Sequence, residues 1–118
     1  MSKPPEANPV LPEHVALFDE RMKHWQERLN LNHWRIERSP GRPKGVMTDV
    51  AFDGDAMLAN YRVGRSFGGS PVTLETIDAT ALHESLHILL FDLRTNPSDV
   101  TEHGVINILE KLLLEGNR

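Results

Sequence analysis

The stretch Thr73-Leu-Glu-Thr-Ile-Asp-Ala-Thr-Ala-Leu-His83-Glu84-Ser85-Leu86-His87-Ile-Leu-Leu-Phe-Asp-Leu-Arg-Thr95 decides how the rest of the chain is read. It contains the pattern H-E-x-x-H, which has chemical meaning only on a helix. At about 3.6 residues per turn, positions i and i+4 share a face and two histidines can reach one zinc ion, whereas on a strand they stand too far apart. The glutamate between them is then placed to act on water at the metal. The helix itself is well signalled. No glycine or proline interrupts Val72 to Asn96. Ser70-Pro71 supplies an N-cap and a first-turn proline, Glu75 and Asp78 lie near the positive end of the helix dipole, and Arg94 followed by Asn96-Pro97 closes the segment.

On a helical wheel Ile77, Ala81 and Ile88 form one apolar stripe, and Leu82, Leu86 and Leu89 form another nearly opposite. Thr76, Thr80, His83, His87 and Phe91 fall between them. A helix apolar almost all round is expected to be buried. Histidines and a glutamate on such a helix need partners, because an unpaired buried polar group costs about 1–3 kcal/mol. A metal is one such partner.

Composition narrows the chemistry further. A chain of 118 residues makes one domain with a modest core. Thirteen Lys and Arg against 17 Asp and Glu give a net charge of −4 with no basic run, so nucleic-acid binding is not expected. The chain has no cysteine, which removes disulfides, thiol catalysis and cysteine-type zinc sites and leaves histidine and carboxylate as strong ligands. There is neither an apolar run near the ~20 residues of a membrane span nor a signal-like N-terminus, so a cytoplasmic protein without membrane contact is expected.

In chain order, residues 1–12 carry four prolines and little apolar content and read as a flexible arm. The single domain is expected over 13–118. From Glu13 to Leu29, Val15, Leu17, Phe18, Met22, Trp25 and Leu29 recur at helical intervals, with His14 and His24 on the outward side. Asn30-Leu31-Asn32 ends that helix. His33 then opens a half-buried strand, Trp34 to Arg38, and has no evident partner. A loop follows, then strands from Val46 to Phe52 and from Ala56 to Val63, joined as a hairpin at Asp53-Gly54-Asp55. Gly64 to Gly69 matches no phosphate-binding spacing and reads as a connector. The fold expected is α+β: a helix, a small three-stranded and mainly antiparallel sheet, the buried histidine helix and a last helix.

That last helix is expected from Val100 to Leu114, with Asp99 as N-cap and Glu102 at the capping-box position. Glu102 also falls within the inward stripe of Val105, Ile106, Leu109, Leu112 and Leu113, and capping does not require an inward direction. Glu102 is therefore the candidate third metal ligand, His103 on the flank beside Glu110 is the alternative, and Gly104 would allow a close approach of backbones.

With His83-Glu84-x-x-His87 and Glu102 on a following helix, preceded by a helix and a short sheet, the chain resembles a zincin metallopeptidase. More narrowly it is similar to minimal gluzincin-like, ImmA/IrrE-type enzymes of bacteria and phages, over roughly residues 13 to 114. The resemblance implies zinc-dependent hydrolysis of peptide bonds in a peptide or protein substrate. It implies zinc on His83, His87 and Glu102, Glu84 as general base, and His103 or Tyr61 as donor to the oxyanion. Two alternatives remain beside it. One is a small zinc amidohydrolase such as a deformylase, whose usual cysteine ligand has no counterpart here. The other is a non-catalytic, zinc-stabilised binding or regulatory module.

Overall fold

The computed structural model describes residues 8–43, 47–95 and 99–116, with the side chains of 95, 99–102 and 112–116 outside the description. Six elements follow in order: α1 (Pro12–Arg28), β1 (Arg35–Arg38), β2 (Thr48–Asp53), β3 (Leu58–Val63), α2 (Leu74–Thr95) and α3 (Asp99–Gly116). The α+β class is as expected. No helix among the described residues is long and apolar enough to cross a membrane.

Helix α1 ends where Asn30 adopts the left-handed region at φ 60°. The amide of Leu31 reaches the carbonyl of Gln26 (2.8 Å) and that of Asn30 reaches Glu27 (3.2 Å), a Schellman closure with asparagine in the place glycine usually takes. Leu31 is then fully buried, and the Gln26 side-chain amide ties the turn by donating to the carbonyls of Leu31 and Trp34. At the other end, His14 Nδ1 accepts the amide of Leu11 at 3.0 Å. Part of the expected arm belongs to the fold: Pro9 bridges Ser66, and Val10 donates to the carbonyl of Arg65 at 2.7 Å. Backbone pairing has overridden the proline-rich composition there, while residues 1–7 of that arm lie outside the described residues.

The sheet has the order β1-β3-β2 and is mixed. As expected, β2 and β3 form an antiparallel hairpin, with Val50 opposite Tyr61. Strand β1, however, pairs parallel to β3, from Arg35 opposite Leu58 to Arg38 opposite Tyr61, so the expected mainly antiparallel arrangement is corrected to one parallel and one antiparallel pair. Burial explains the order. Ala59, Tyr61 and Val63 of β3 are all buried, whereas β1 is exposed at three of its four positions. The most apolar strand occupies the centre, where both neighbours cover its edges, and the charged one is left outside. The hairpin turn is longer than expected because Met57 takes a left-handed φ of 50°, which delays the start of β3 to Leu58.

Because strand residues alternate, Ala59, Tyr61 and Val63 share a face with their partners Phe52, Val50 and Thr48. Helices α1 and α2 cover that face. Phe18 and Met22 of α1 and Ile77, Ala81 and Ile88 of α2 join β3 in one core with Leu29, Leu31 and Trp34. The two helices are pinned at Asp78, whose Oδ1 accepts both Arg21 Nε (2.7 Å) and Trp25 Nε1 (2.8 Å).

The first turn of α2 differs from expectation. Thr73, not Ser70, is the N-cap: its hydroxyl accepts the amide of Thr76 at 3.2 Å, and Thr76 returns the favour by accepting the amide of Thr73 at 2.9 Å. This reciprocal arrangement satisfies two amides that a cap at Ser70 would leave open. Nor is α2 buried all round. Ile77, Ala81, Glu84, Ser85, Ile88 and Leu89 face inward, Leu82 and Leu86 are half-buried, and His83, His87 and Leu90 are exposed. The small sheet and two partner helices are enough to cover one side of α2 and part of a second.

Candidate metal centre

His83 and His87 lie one turn apart on the open side of α2, and their rings meet edge to face with centroids 4.7 Å apart. Nε2 of one stands 3.1 Å from Nε2 of the other. Two nitrogens each ~2.0–2.1 Å from a tetrahedral zinc are about 3.3–3.4 Å apart, so the pair is already nearly at the spacing of two ligands to one ion. The same separation suits an N–H···N hydrogen bond between one donor and one acceptor ring. In either case the two nitrogens converge on one point outside the helix.

Glu84 turns the other way. It is 5% exposed, and its Oε1 accepts the hydroxyl proton of Thr48 at 2.9 Å. Thr48 opens β2, the edge strand on this side of the sheet. The hydroxyl is a physical necessity of sorts, since a carboxylate this well covered needs donors to replace water. Above the contact, Met47, Thr48, Ala79, Thr80, His83 and Glu84 line an open pocket of about 500 Å³. The site is thus a groove between the start of β2 and the middle of α2, with His83 and Glu84 among its lining residues. Thr48 escaped the sequence reading because a threonine at a strand start carries no signal of its own, and the strand's distance from α2 is a tertiary fact.

The remaining expected site residues are placed less closely. Glu102 lies in α3, but its side chain is outside the described residues. His103 is exposed on the same helix. Among the described residues, no group of three or more His, Asp or Glu comes together as a metal site. The described part of α3 packs through Val105 and Ile108, which line a cavity of about 320 Å³ with Leu89, Asp92 and the segment Leu29 to His33. Gly104 shares that wall, and a Cβ added there would meet no described atom within 4 Å, so the expected close approach of backbones is corrected.

Tyr61 is committed elsewhere. Its ring is 4% exposed against Phe18, and its hydroxyl donates to Asp19 Oδ1 at 2.6 Å, on the side of the sheet facing α1. Burial, reinforced by the Asp19 carboxylate, pushes its phenol well above the ordinary range. Its single proton serves that contact. His33, without a partner in the sequence, finds one in the fold: Nε2 lies 2.9 Å from Oδ2 of the buried Asp92. His24 stands edge-on to Trp25 at 4.9 Å.

Among the described residues, the donors that could serve a metal here are the two imidazoles of His83 and His87, with nitrogens 3.1 Å apart on an exposed face and no third ligand beside them. No protein-family model matches the chain, and comparison with curated proteins and with solved structures finds no match.

Proposed function

We propose that the protein is a zinc-dependent metallopeptidase of the H-E-x-x-H type, with His83 and His87 as ligands, Glu102 as the third, and Glu84 as general base. The observation that carries this reading is the 3.1 Å approach of the two Nε2 atoms, one of them on His83, which lines a pocket together with Glu84. Zinc, when bound, supplies Lewis acidity that polarises a carbonyl and lowers the pKa of water towards ~7.

The chain's own residues do the rest. His83 and His87, both on the exposed side of α2, would hold the ion. Glu84, about 100° round the helix from His83 and the next residue along it, would take a proton from water and later pass it to the leaving amine. Its poor solvent exposure keeps that carboxylate from being saturated by bulk water. The free edge of β2 offers backbone groups to an extended peptide, which would lie as an added strand along the groove and be recognised mainly through its main chain. For the oxyanion, His103 is the candidate whose side chain faces solvent, whereas Tyr61 gives its proton to Asp19.

Elemental analysis of protein purified without added metal should find one zinc per chain. Glu84→Gln preserves size but cannot take the proton, so it should keep zinc and lose peptide cleavage by about 10²-fold or more across a broad peptide library. A glutamine variant that cleaves as fast as the parent would refute the general base. Stoichiometric zinc with no cleavage by either protein would favour the zinc-stabilised binding module.

A further inference from the structure

We infer that Thr48 is the positioning residue for Glu84, so that the edge strand β2 sets the orientation of the base; the catalytic part of this inference rests on the metallopeptidase reading above. Three observations support it. The Thr48 hydroxyl is the hydrogen-bond partner that the described residues give Glu84, at 2.9 Å to Oε1. Glu84 as a residue is only 5% exposed, so a protein donor to its carboxylate matters more than it would on the open surface. Thr48 is also held in register by the hairpin, opposite Val63 at the start of β2, so its Oγ1 has a fixed origin rather than a loop's freedom.

A carboxylate on a three-bond side chain can rotate about its last torsion, and a general base must present one oxygen within about 2.6–3.2 Å of the proton it removes. A donor bound to Oε1 fixes that rotation. Oε2 is then the oxygen left to take the proton, on a residue that lines the groove with His83. The same bond makes the groove's two sides interdependent: a substrate strand lying on β2 and the base on α2 are referenced to one residue. In this scheme the Thr48 hydroxyl acts through Glu84, whatever the backbone of β2 contributes to a bound strand.

Two measurements test it on the full chain. In zinc-loaded protein, Thr48→Val keeps the shape and removes the donor; kcat should fall about 10- to 100-fold, as expected for a lost bond to a charged group, with KM unchanged. Thr48→Ser, which restores the hydroxyl, should return kcat to within a fewfold of the parent. In metal-free protein, a double-mutant cycle of Thr48→Val with Glu84→Ala, followed by denaturant unfolding, should show the two changes to be coupled by fivefold or more, about 1 kcal/mol, in the unfolding constant. Additive effects in the cycle would overturn the inference, because the bond would then be absent in solution. Unchanged kcat in an active Thr48→Val enzyme, or a change confined to KM, would equally overturn it while leaving the hydrolase reading intact. A parent that cleaves nothing in the library overturns that reading and the positioning role with it, and the cycle still decides whether the bond exists.

Discussion

Phe52 of β2 and Phe91 of α2 stack face to face, with ring centroids 4.4 Å apart and planes 5° from parallel. Trp34 closes edge-on against both, at 6.4 Å and 5.8 Å. Together with the Thr48 to Glu84 bond at the opposite end of the strand, this stack fastens β2 to α2 at two points. The groove between those elements is therefore bounded by two fastened elements, with Met47 just before β2 completing its wall.

The aromatic fastening should be measurable in stability. Phe91 is half-buried, so Phe91→Ala should cost about 2–4 kcal/mol, somewhat below the range for fully buried phenylalanines, and lower the denaturant midpoint without changing the slope. Leu90→Ala is the control one residue away: that side chain is 58% exposed, and its loss should stay within about 0.5 kcal/mol. Equal effects of the two substitutions would mean that the stack does not hold β2 against α2.

The histidine pair predicts the opposite pattern. Both rings are exposed, so His83→Ala and His87→Ala should leave the metal-free protein within about 0.5 kcal/mol of the parent. Zinc at a hundredfold excess over its Kd should stabilise the parent by about 2.7 kcal/mol, roughly ten degrees in Tm for a domain of this size, and should do little for either variant. Differential scanning calorimetry with and without zinc reads both quantities. A zinc-dependent rise in Tm that survives in both variants would place the ion elsewhere.

The fold was legible where periodicity and punctuation agreed. Six elements in the right order follow from the apolar spacing of Val15 to Leu29, the hairpin at Asp53-Gly54, and the uninterrupted run before Asn96. What the sequence did not carry was the pairing of β1. Nothing local says that Arg35 should lie beside Leu58 and not beside a residue of β2, because that choice depends on which strand buries best at the centre. Exposure of the histidines is a similar case. The wheel of α2 shows apolar residues on two sides, but only tertiary packing decides that Leu82 and Leu86 stay half-covered. The motif residues were found from spacing alone, whereas Thr48 and the His33 to Asp92 pair, 59 residues apart, required the fold.

Tyr61 gives a prediction that depends on sign. It is the chain's sole tyrosine, so its ionisation can be followed by phenolate absorbance without ambiguity. Burial first, and the Asp19 carboxylate second, raise its pKa in the folded state. In the unfolded chain it titrates near its ordinary value of about 10. Above that pH the unfolded state gives up a proton that the folded state keeps, so the contribution of this group is complete below about pH 10 and is lost progressively as pH rises beyond it. The expected record is little phenolate signal until the protein unfolds, then a cooperative rise. Tyr61→Phe should remove this alkaline loss, and Asp19 would retain Arg38 Nε at 3.0 Å. A tyrosine that titrates near 10 in the folded protein would contradict the bond to Asp19.

The third ligand is open to direct test because Glu102, His103 and Glu110 all lie on α3. From spacing, Glu102 is expected both at a capping-box position and in an inward stripe, but α3 begins at Asp99 itself and Ile106 and Leu109 of that stripe are exposed, so substitution has to separate a first-turn role from a ligand role. As a first-turn acidic residue alone, Glu102→Ala should cost about 0.3–1 kcal/mol whether or not metal is present, and zinc affinity should be nearly unchanged. As a ligand it should weaken zinc by more than about 10²-fold, since even partners one shell further out are worth 10- to 100-fold. Its effect on the metal-free protein should then be small. Glu110→Ala, on the exposed side of the helix, is the control and should alter neither quantity. Competition titrations with a chromophoric chelator give the affinities. If His103→Ala loses the metal while Glu102→Ala retains it, the assignment of Glu102 is wrong and the histidine beside it completes the site.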